Sequence, residues 1–273
     1  MSATLRANQP IGIFDSGIGG LTVAGAVARL LPNERIVYFG DTAHLPYGDK
    51  SLEAIQGYSE RIADFLLEKN CKLILIACNT ASAAAYDTLK QHVGDRALLL
   101  NVIDPLVKAV AADDSIKKVG IIATKATISS GVYERKLKEA KPTLEVASLA
   151  TALLASMIEA GFYNNSVSQA IINSYLSYPD FQDVSGMLLA CTHYPLIRGE
   201  IDFYFRHRVK VFDSTDTAAH AVKEALEQNN LLNGESSGGK HFCVSDYTDS
   251  FAQTTKLFFG EAIALEHCPI WEG

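Results

Sequence analysis

The chain has 273 residues, of which 48% are hydrophobic and 20% charged; this is a globular composition that excludes disorder, and the length can bury a core without disulfides or metals. Lys plus Arg number 24 against 31 Asp plus Glu, a net charge of −7, which argues against a nucleic-acid partner, although an acidic chain can still carry a locally positive site. Apolar runs such as Leu73–Cys78 fall far short of the 18 or more residues of a membrane span, and the opening MSATLRANQP lacks the apolar run of a signal peptide, so a cytoplasmic protein with no membrane partner is expected.

The first strand is expected at Ile11–Phe14, followed by the run DSGIGG from Asp15 to Gly20. Glycines there let the backbone turn tightly and approach a ligand, and a helix start beyond them can bind an anion. A second strand, Ile36–Phe39, leads into GDTAHLPYG, which carries Asp41, Thr42, Pro46, Tyr47 and Gly48. That segment reads equally as a plain loop and as a turn whose free N–H groups hold a carboxylate. Helices are expected at Leu52–Lys69, Ala81–Gln91 and Val132–Lys141, with Ser51 and Asn165 at N-cap positions. Further strands are expected at Leu73–Ala77, Leu98–Ile103, Val119–Ala123, Leu144–Ser148, Met187–Ala190 and Val209–Phe212. Asn233–Lys240, a Gly/Ser-rich stretch, reads as a surface connection. Strands alternating with helices imply an α/β fold with parallel sheets, and such sheets bind ligands at the carboxyl ends of their strands.

A faint internal repeat runs through this pattern. ILIACNTAS, Ile74 to Ser82, resembles MLLACTHYP, Met187 to Pro195, and IGIFD at Ile11 resembles VGIIA at Val119. The spacing between the members of each pair is similar, which suggests two related α/β halves, though two matches between buried strands also arise by chance.

The five cysteines divide by position. As small core residues, Cys71, Cys243 and Cys268 need no further explanation. Cys78 and Cys191 instead end apolar strands and precede the polar turns Asn79-Thr80 and Thr192-His193-Tyr194. A thiol titrates near pH 8.5, close enough to neutral to act as base or nucleophile, and a histidine two residues away can act as acid/base or perturb it. No CxxC or HExxH motif, Walker loop or dinucleotide GxGxxG pattern occurs, so neither a metal nor a nucleotide cofactor is expected.

IGIFDSGIGGLTV, YFGDTAHLPYG, ILIACNTASA, VIDPL, ATKATISS and LLACTHYPLI together resemble the aspartate/glutamate racemase superfamily, and within it the glutamate racemases. The matching pieces reach from Ile11 to Ile197, with DST at Asp213 beyond them. The resemblance implies two pseudo-symmetric parallel-sheet α/β domains, residues 1–101 plus 214–273 and residues 102–213, with the active site in the cleft between them. It implies interconversion of L- and D-glutamate by two bases without a cofactor, Cys78 acting on the D-isomer and Cys191 on the L-isomer. Asp15 and His193 match the assisting acid/base positions, and Glu159 falls at a third one, in a segment that lacks the usual Pro before the acidic residue. Asp15, Ser16, Pro46, Tyr47, Gly48, Asn79, Thr80, Thr124, Thr127, Thr192 and His193 are the implied substrate contacts. The family further implies a homodimer in the bacterial cytoplasm, supplying D-glutamate for peptidoglycan and so for cell-wall biogenesis and cell shape.

Three other readings compete. A related racemase could act on aspartate. A Cys-His hydrolase using Cys191 and His193 leaves Cys78 unexplained, and it predicts a covalent acyl-enzyme. A non-catalytic ligand-binding protein does not account for the retention of all five catalytic-type residues.

Overall fold

The computed structural model describes residues 5–235 and 239–272. Residues 236–238 of the expected Gly/Ser-rich connection and residues 1–4 and 273 at the ends of the first domain lie outside that range. Two parallel sheets organise the chain. Strands β1 (Ile11–Asp15), β2 (Ile36–Gly40), β3 (Leu73–Ile76) and β4 (Leu98–Asn101) alternate with helices α1 (Leu21–Leu30), α2 (Leu52–Glu68) and α3 (Asn79–Val93). After α4 (Ile103–Ala111), β5 (Lys118–Ala123), α5 (Lys125–Ser129), α6 (Val132–Ala140), β6 (Glu145–Ala150), α7 (Ala152–Glu159) and α8 (Ser166–Leu176) follow. Then come β7 (Gly186–Ala190), α9 (Arg198–Tyr204), β8 (Lys210–Asp213), α10 (Ser214–Gln228), β9 (Lys240–Val244), α11 (Asp249–Phe259) and the short β10 (Glu266–His267).

The larger sheet has the order β10-β9-β2-β1-β3-β4 and the smaller one β6-β5-β7-β8. In each, the first strand of its half is flanked by the second and third, and the fourth lies outside the third. The order β2-β1-β3-β4 thus recurs as β6-β5-β7-β8, so both pairs in the faint repeat, β1 with β5 and β3 with β7, occupy equivalent places. β1, β2, β3 and β7 are buried at every position, which explains why they read as continuous apolar runs rather than alternating ones.

One apolar cluster includes Ile11, Ile13 and Leu75 of the larger sheet, Met187 and Leu189 of the smaller, and Ala218 and Val222 of α10. The two halves are therefore joined by shared core. A buried ion pair pins the returning chain: Lys72 Nζ lies 2.6 Å from Glu34 Oε2 and 2.8 Å from the Leu231 carbonyl. Glu34 Oε1 in turn accepts the Asn233 N–H. Removing either ion would leave its partner buried and uncompensated.

The expected N-caps hold. Ser51 accepts the Ala54 N–H, and Asn165 forms a capping box with Ser168, each arrangement contributing about 1 kcal/mol. Two expected strands end earlier than the sequence suggests: Leu73–Ala77 stops at Ile76, and the next strand is cut shorter. Leu98–Ile103 stops at Asn101, whose Oδ1 accepts the N–H groups of Ile103 and Asp104 and so starts α4. No strand was expected over residues 240–267, yet β9 pairs in parallel with β2 and extends the larger sheet. Among the described residues no helix is long and apolar enough to cross a membrane.

Candidate active site

A cavity of about 100 Å³ lies where the carboxyl ends of strands from both sheets converge. Its wall takes Ser16 and Gly17 from the end of β1, Leu45 to Gly48 from the loop after β2, and Cys78 to Thr80 from the start of α3. The other sheet supplies Thr124 after β5, Ala155, Ser156 and Glu159 from α7, and Ala190 to His193 after β7. Both strand-end cysteines thus line one cavity, one from each sheet.

Glycines make this convergence possible. A Cβ on Gly19 would stand 2.6 Å from Thr192 Oγ1 and 2.5 Å from His193 Nδ1, and one on Gly20 would stand 2.9 Å from Asp15 Cγ. Neither site has room for a side chain. The turn DSGIGG lies directly against CTH, and Thr22 Oγ1 donates to the Thr192 carbonyl at 3.1 Å.

The two thiols have different surroundings. Cys78 caps α3: its Sγ accepts the Ala81 N–H at 3.4 Å and donates to Ser16 Oγ at 3.6 Å. Burial, reinforced by the Asp15 carboxylate, pushes its thiol up to about 12, so the proton is held there at neutral pH. Cys191 Sγ lies 3.7 Å from His193 Nδ1, and His193 Nε2 lies 2.7 Å from Glu159 Oε1. Burial works against the imidazolium, but its bonds to Cys191 and Glu159 outweigh that and push His193 up to about 10. A buried Cys-His-Glu chain of this kind keeps a cation beside one of the two sulfurs.

The remaining polar groups suit a carboxylate. Thr80, Thr124 and Thr127 form a triangle of hydroxyls, with Oγ1 separations of 2.9, 3.2 and 3.0 Å. Thr124 also caps α5 by accepting the Thr127 N–H. The Tyr133 hydroxyl donates to Asn79 Oδ1 at 2.5 Å and so fixes the amide, while the buried Asn79 Nδ2 has no protein partner. A buried donor held in place without a partner is costly unless something else accepts from it. Tyr47 donates from the cavity wall to the buried Asp41 at 2.6 Å, which fixes its ring.

Of the residues expected at the site, Ser16, Pro46, Tyr47, Gly48, Cys78, Asn79, Thr80, Thr124, Glu159, Cys191, Thr192 and His193 line the cavity. Asp15 and Thr127 do not reach its wall. Asp15 is fully buried behind it, accepting the Gly17 N–H at 3.1 Å, with Oδ1 unpartnered. Burial raises its carboxyl above the usual range against the pull of His193. Thr127 is buried behind Thr124 and Thr80. Asp213 stands outside the site, capping α10 and pairing with Arg198. Gly17, one of the DSGIGG glycines expected to approach a ligand, also lines the cavity, whereas sequence reasoning passed over Leu45, Ala155, Ser156 and Ala190; Ala155, Ser156 and Glu159 share one stretch of α7, and the spacing of Ala155 and Glu159 marks a common helix face.

The Asp/Glu/hydantoin racemase family profile matches residues 21–222. Glutamate racemases of Chlorobaculum parvum and Geobacter metallireducens are 38% and 39% identical to this chain over 257 and 253 residues, 94% and 92% of it, and 94% and 93% of their own lengths. The Francisella tularensis glutamate racemase, solved with D-glutamate, superposes with a TM-score of 0.90 at 37% identity, covering 97% of this chain and 98% of that one. With two equivalent parallel sheets, a thiol from each in one cavity and this likeness over nearly its full length, the chain belongs to the glutamate racemases of the Asp/Glu/hydantoin racemase family.

Proposed function

We propose that the chain interconverts L- and D-glutamate by proton transfer between two thiols, without a cofactor. The observation that carries this reading is the placement of Cys78 and Cys191 after equivalent strands of two equivalent sheets, both lining one cavity. In the L-to-D direction Cys191, as thiolate beside the His193 imidazolium, takes the α-proton. Cys78, whose thiol holds its proton, delivers one to the opposite face. The products are D-glutamate, a Cys191 thiol and a Cys78 thiolate, and solvent exchange restores the first form. Fixed N–H and hydroxyl donors in a largely closed cavity stabilise the charge that develops at the α-carbon and carboxylate. Asn79, Thr80 and Thr124 are placed to hold a carboxylate, and Asp15, Glu159 and His193 assist the thiols.

The sheet membership supports a first domain of residues 1–101 plus 214–273 and a second of 102–213. The working unit is a cytoplasmic homodimer that supplies peptidoglycan synthesis, and exposed Leu153, Phe162, Val167 and Phe203 offer apolar surface for pairing. Turnover of L-glutamate in D₂O tests the mechanism. D-glutamate emerges with deuterium at the α-carbon, while the remaining L-glutamate stays unlabelled at early times. Equal early labelling of both isomers would refute the two-base scheme, and faster turnover of aspartate than of glutamate would refute the substrate.

A further inference from the structure

The outer edge of the six-stranded sheet carries a side-chain cluster that racemisation does not use. β9 and β10 run parallel, with Glu266 opposite Cys243. Strand alternation places His241 and Cys243 on one face of β9, and Glu266 of β10 and Cys268, just past its end, on the matching face. Phe242 points the other way and packs against Tyr38 and Phe259. The two sulfurs and a carboxylate oxygen of Glu266 all lie within 4.8 Å of one another. His241 Nδ1 stands 3.7 Å from Glu266 Oε2.

We propose that Cys243, Cys268 and Glu266 form a binding site for a thiophilic divalent cation of the zinc class, separate from the cavity that holds Cys78 and Cys191. The donor set sets the class. Two thiolates and a carboxylate suit a tetrahedral zinc-like ion, whereas magnesium and calcium call for six or more oxygens. Tetrahedral zinc holds two thiolates about 3.8 Å apart, and sulfurs already within 4.8 Å of each other need little movement to reach that separation. Cys243 is 3% exposed, Cys268 is half-buried and Glu266 is exposed, so an ion would have one dry side and an entry path from solvent. His241, with Nδ1 3.7 Å from Glu266 Oε2, is a further donor on that open side. With both thiols deprotonated and Glu266 ionised the cluster carries three negative charges. A dication together with Lys69, which acts electrostatically on both thiols, would neutralise them.

Such an ion would be structural. Ser245 follows Cys243 closely and Trp271 follows Cys268, and both donate to Asp41, at 2.8 and 2.9 Å. Asp41 also holds Tyr47 on the cavity wall. Joining the two cysteines through a metal would clamp the strand ends that carry these donors. The proposal does not depend on the glutamate reading, because its readout is metal uptake rather than turnover.

The full chain, stripped with a chelator and kept reduced, is titrated with zinc by calorimetry and with cobalt(II) in the visible spectrum. We expect one ion per chain, a thiolate-to-cobalt charge-transfer band and a Tm that rises with zinc. Cys243→Ser combined with Cys268→Ser removes the band, and Glu266→Gln weakens zinc binding about tenfold or more. Since Cys243 is buried and its replacement can disturb folding, Cys268→Ala at the half-buried position is the second test; it loses the band while keeping the parent's circular dichroism. Cys71→Ser and the pair Cys78→Ser and Cys191→Ser keep it. No band in the parent, a band that survives Cys268→Ala, or one that disappears with Cys78 and Cys191 overturns the proposal. So does a reduced chain that takes up no metal and only forms a Cys243–Cys268 disulfide on oxidation.

Discussion

Replacing Glu159 by Gln keeps the shape of the side chain but removes the charge 2.7 Å from His193 Nε2. A hydrogen bond to a charged group contributes about 1.5–3 kcal/mol. The Glu159 side chain is 32% exposed, so water screens it and the lower end applies. About 1.5 kcal/mol corresponds to about one pH unit and about tenfold in rate. His193 stands raised from 6.5 to about 10, so its imidazolium persists beside Cys191 until the pH passes that value. In the variant the alkaline limb of kcat/KM moves down by about one pH unit, and the plateau falls about tenfold. The two enantiomers have equal free energy in water, so kcat/KM must fall equally for L- and D-glutamate at every pH. A proton held more tightly in the fold than in the unfolded chain stabilises the fold fully below pH 6.5, and that stabilisation is lost as pH rises through about 10. The loss of Tm on alkalinisation therefore begins near pH 6.5 in both proteins, but in Glu159→Gln it is smaller and ends about one pH unit lower than in the parent. Measuring both directions of racemisation and Tm from about pH 6 to about 11 checks the reasoning. An alkaline limb that stays in place or moves upward would refute the role of Glu159 as the partner that keeps His193 charged.

Cys78→Ser and Cys191→Ser each lower racemisation by several orders of magnitude, because a serine hydroxyl is a far poorer base than a thiol near neutral pH. On an analogue that eliminates a β-leaving group after a single deprotonation, Cys191→Ser spares the D-isomer and Cys78→Ser spares the L-isomer; the opposite asymmetry would reverse the assignment of faces. Gly19→Ala drives a methyl group to within 2.6 Å of Thr192 Oγ1; overpacking of this kind costs about 1–3 kcal/mol, and both Tm and turnover should fall, whereas an unchanged Tm would mean that the DSGIGG turn gives way easily.

The sequence by itself determined the fold class, the approximate place of the eight strands it called and the two thiols. These features are local. Strands buried on both faces, such as those containing Ile11–Phe14 and Gly186–Ala190, appear as unbroken apolar runs, and polar residues directly after them mark the strand ends where ligands bind. Caps such as Ser51 and Asn165 were legible because a capping side chain bonds to its own next turn. The racemase motifs named the partners of each thiol, but spacing alone could not show which groups touch. Only the tertiary structure carried Glu159, at the end of α7, to His193 after β7, set Tyr133 against Asn79, and left Asp15 and Thr127 behind the cavity wall. It also added β9 to the edge of β2, bringing Cys243 to Glu266 and Cys268. Those contacts join residues far apart along the chain, and a short strand such as Lys240–Val244 takes its identity from the partner it pairs with rather than from its own propensity. Local periodicity fixes which face of an element is buried; which elements lie side by side is settled when the distant strands close the sheet.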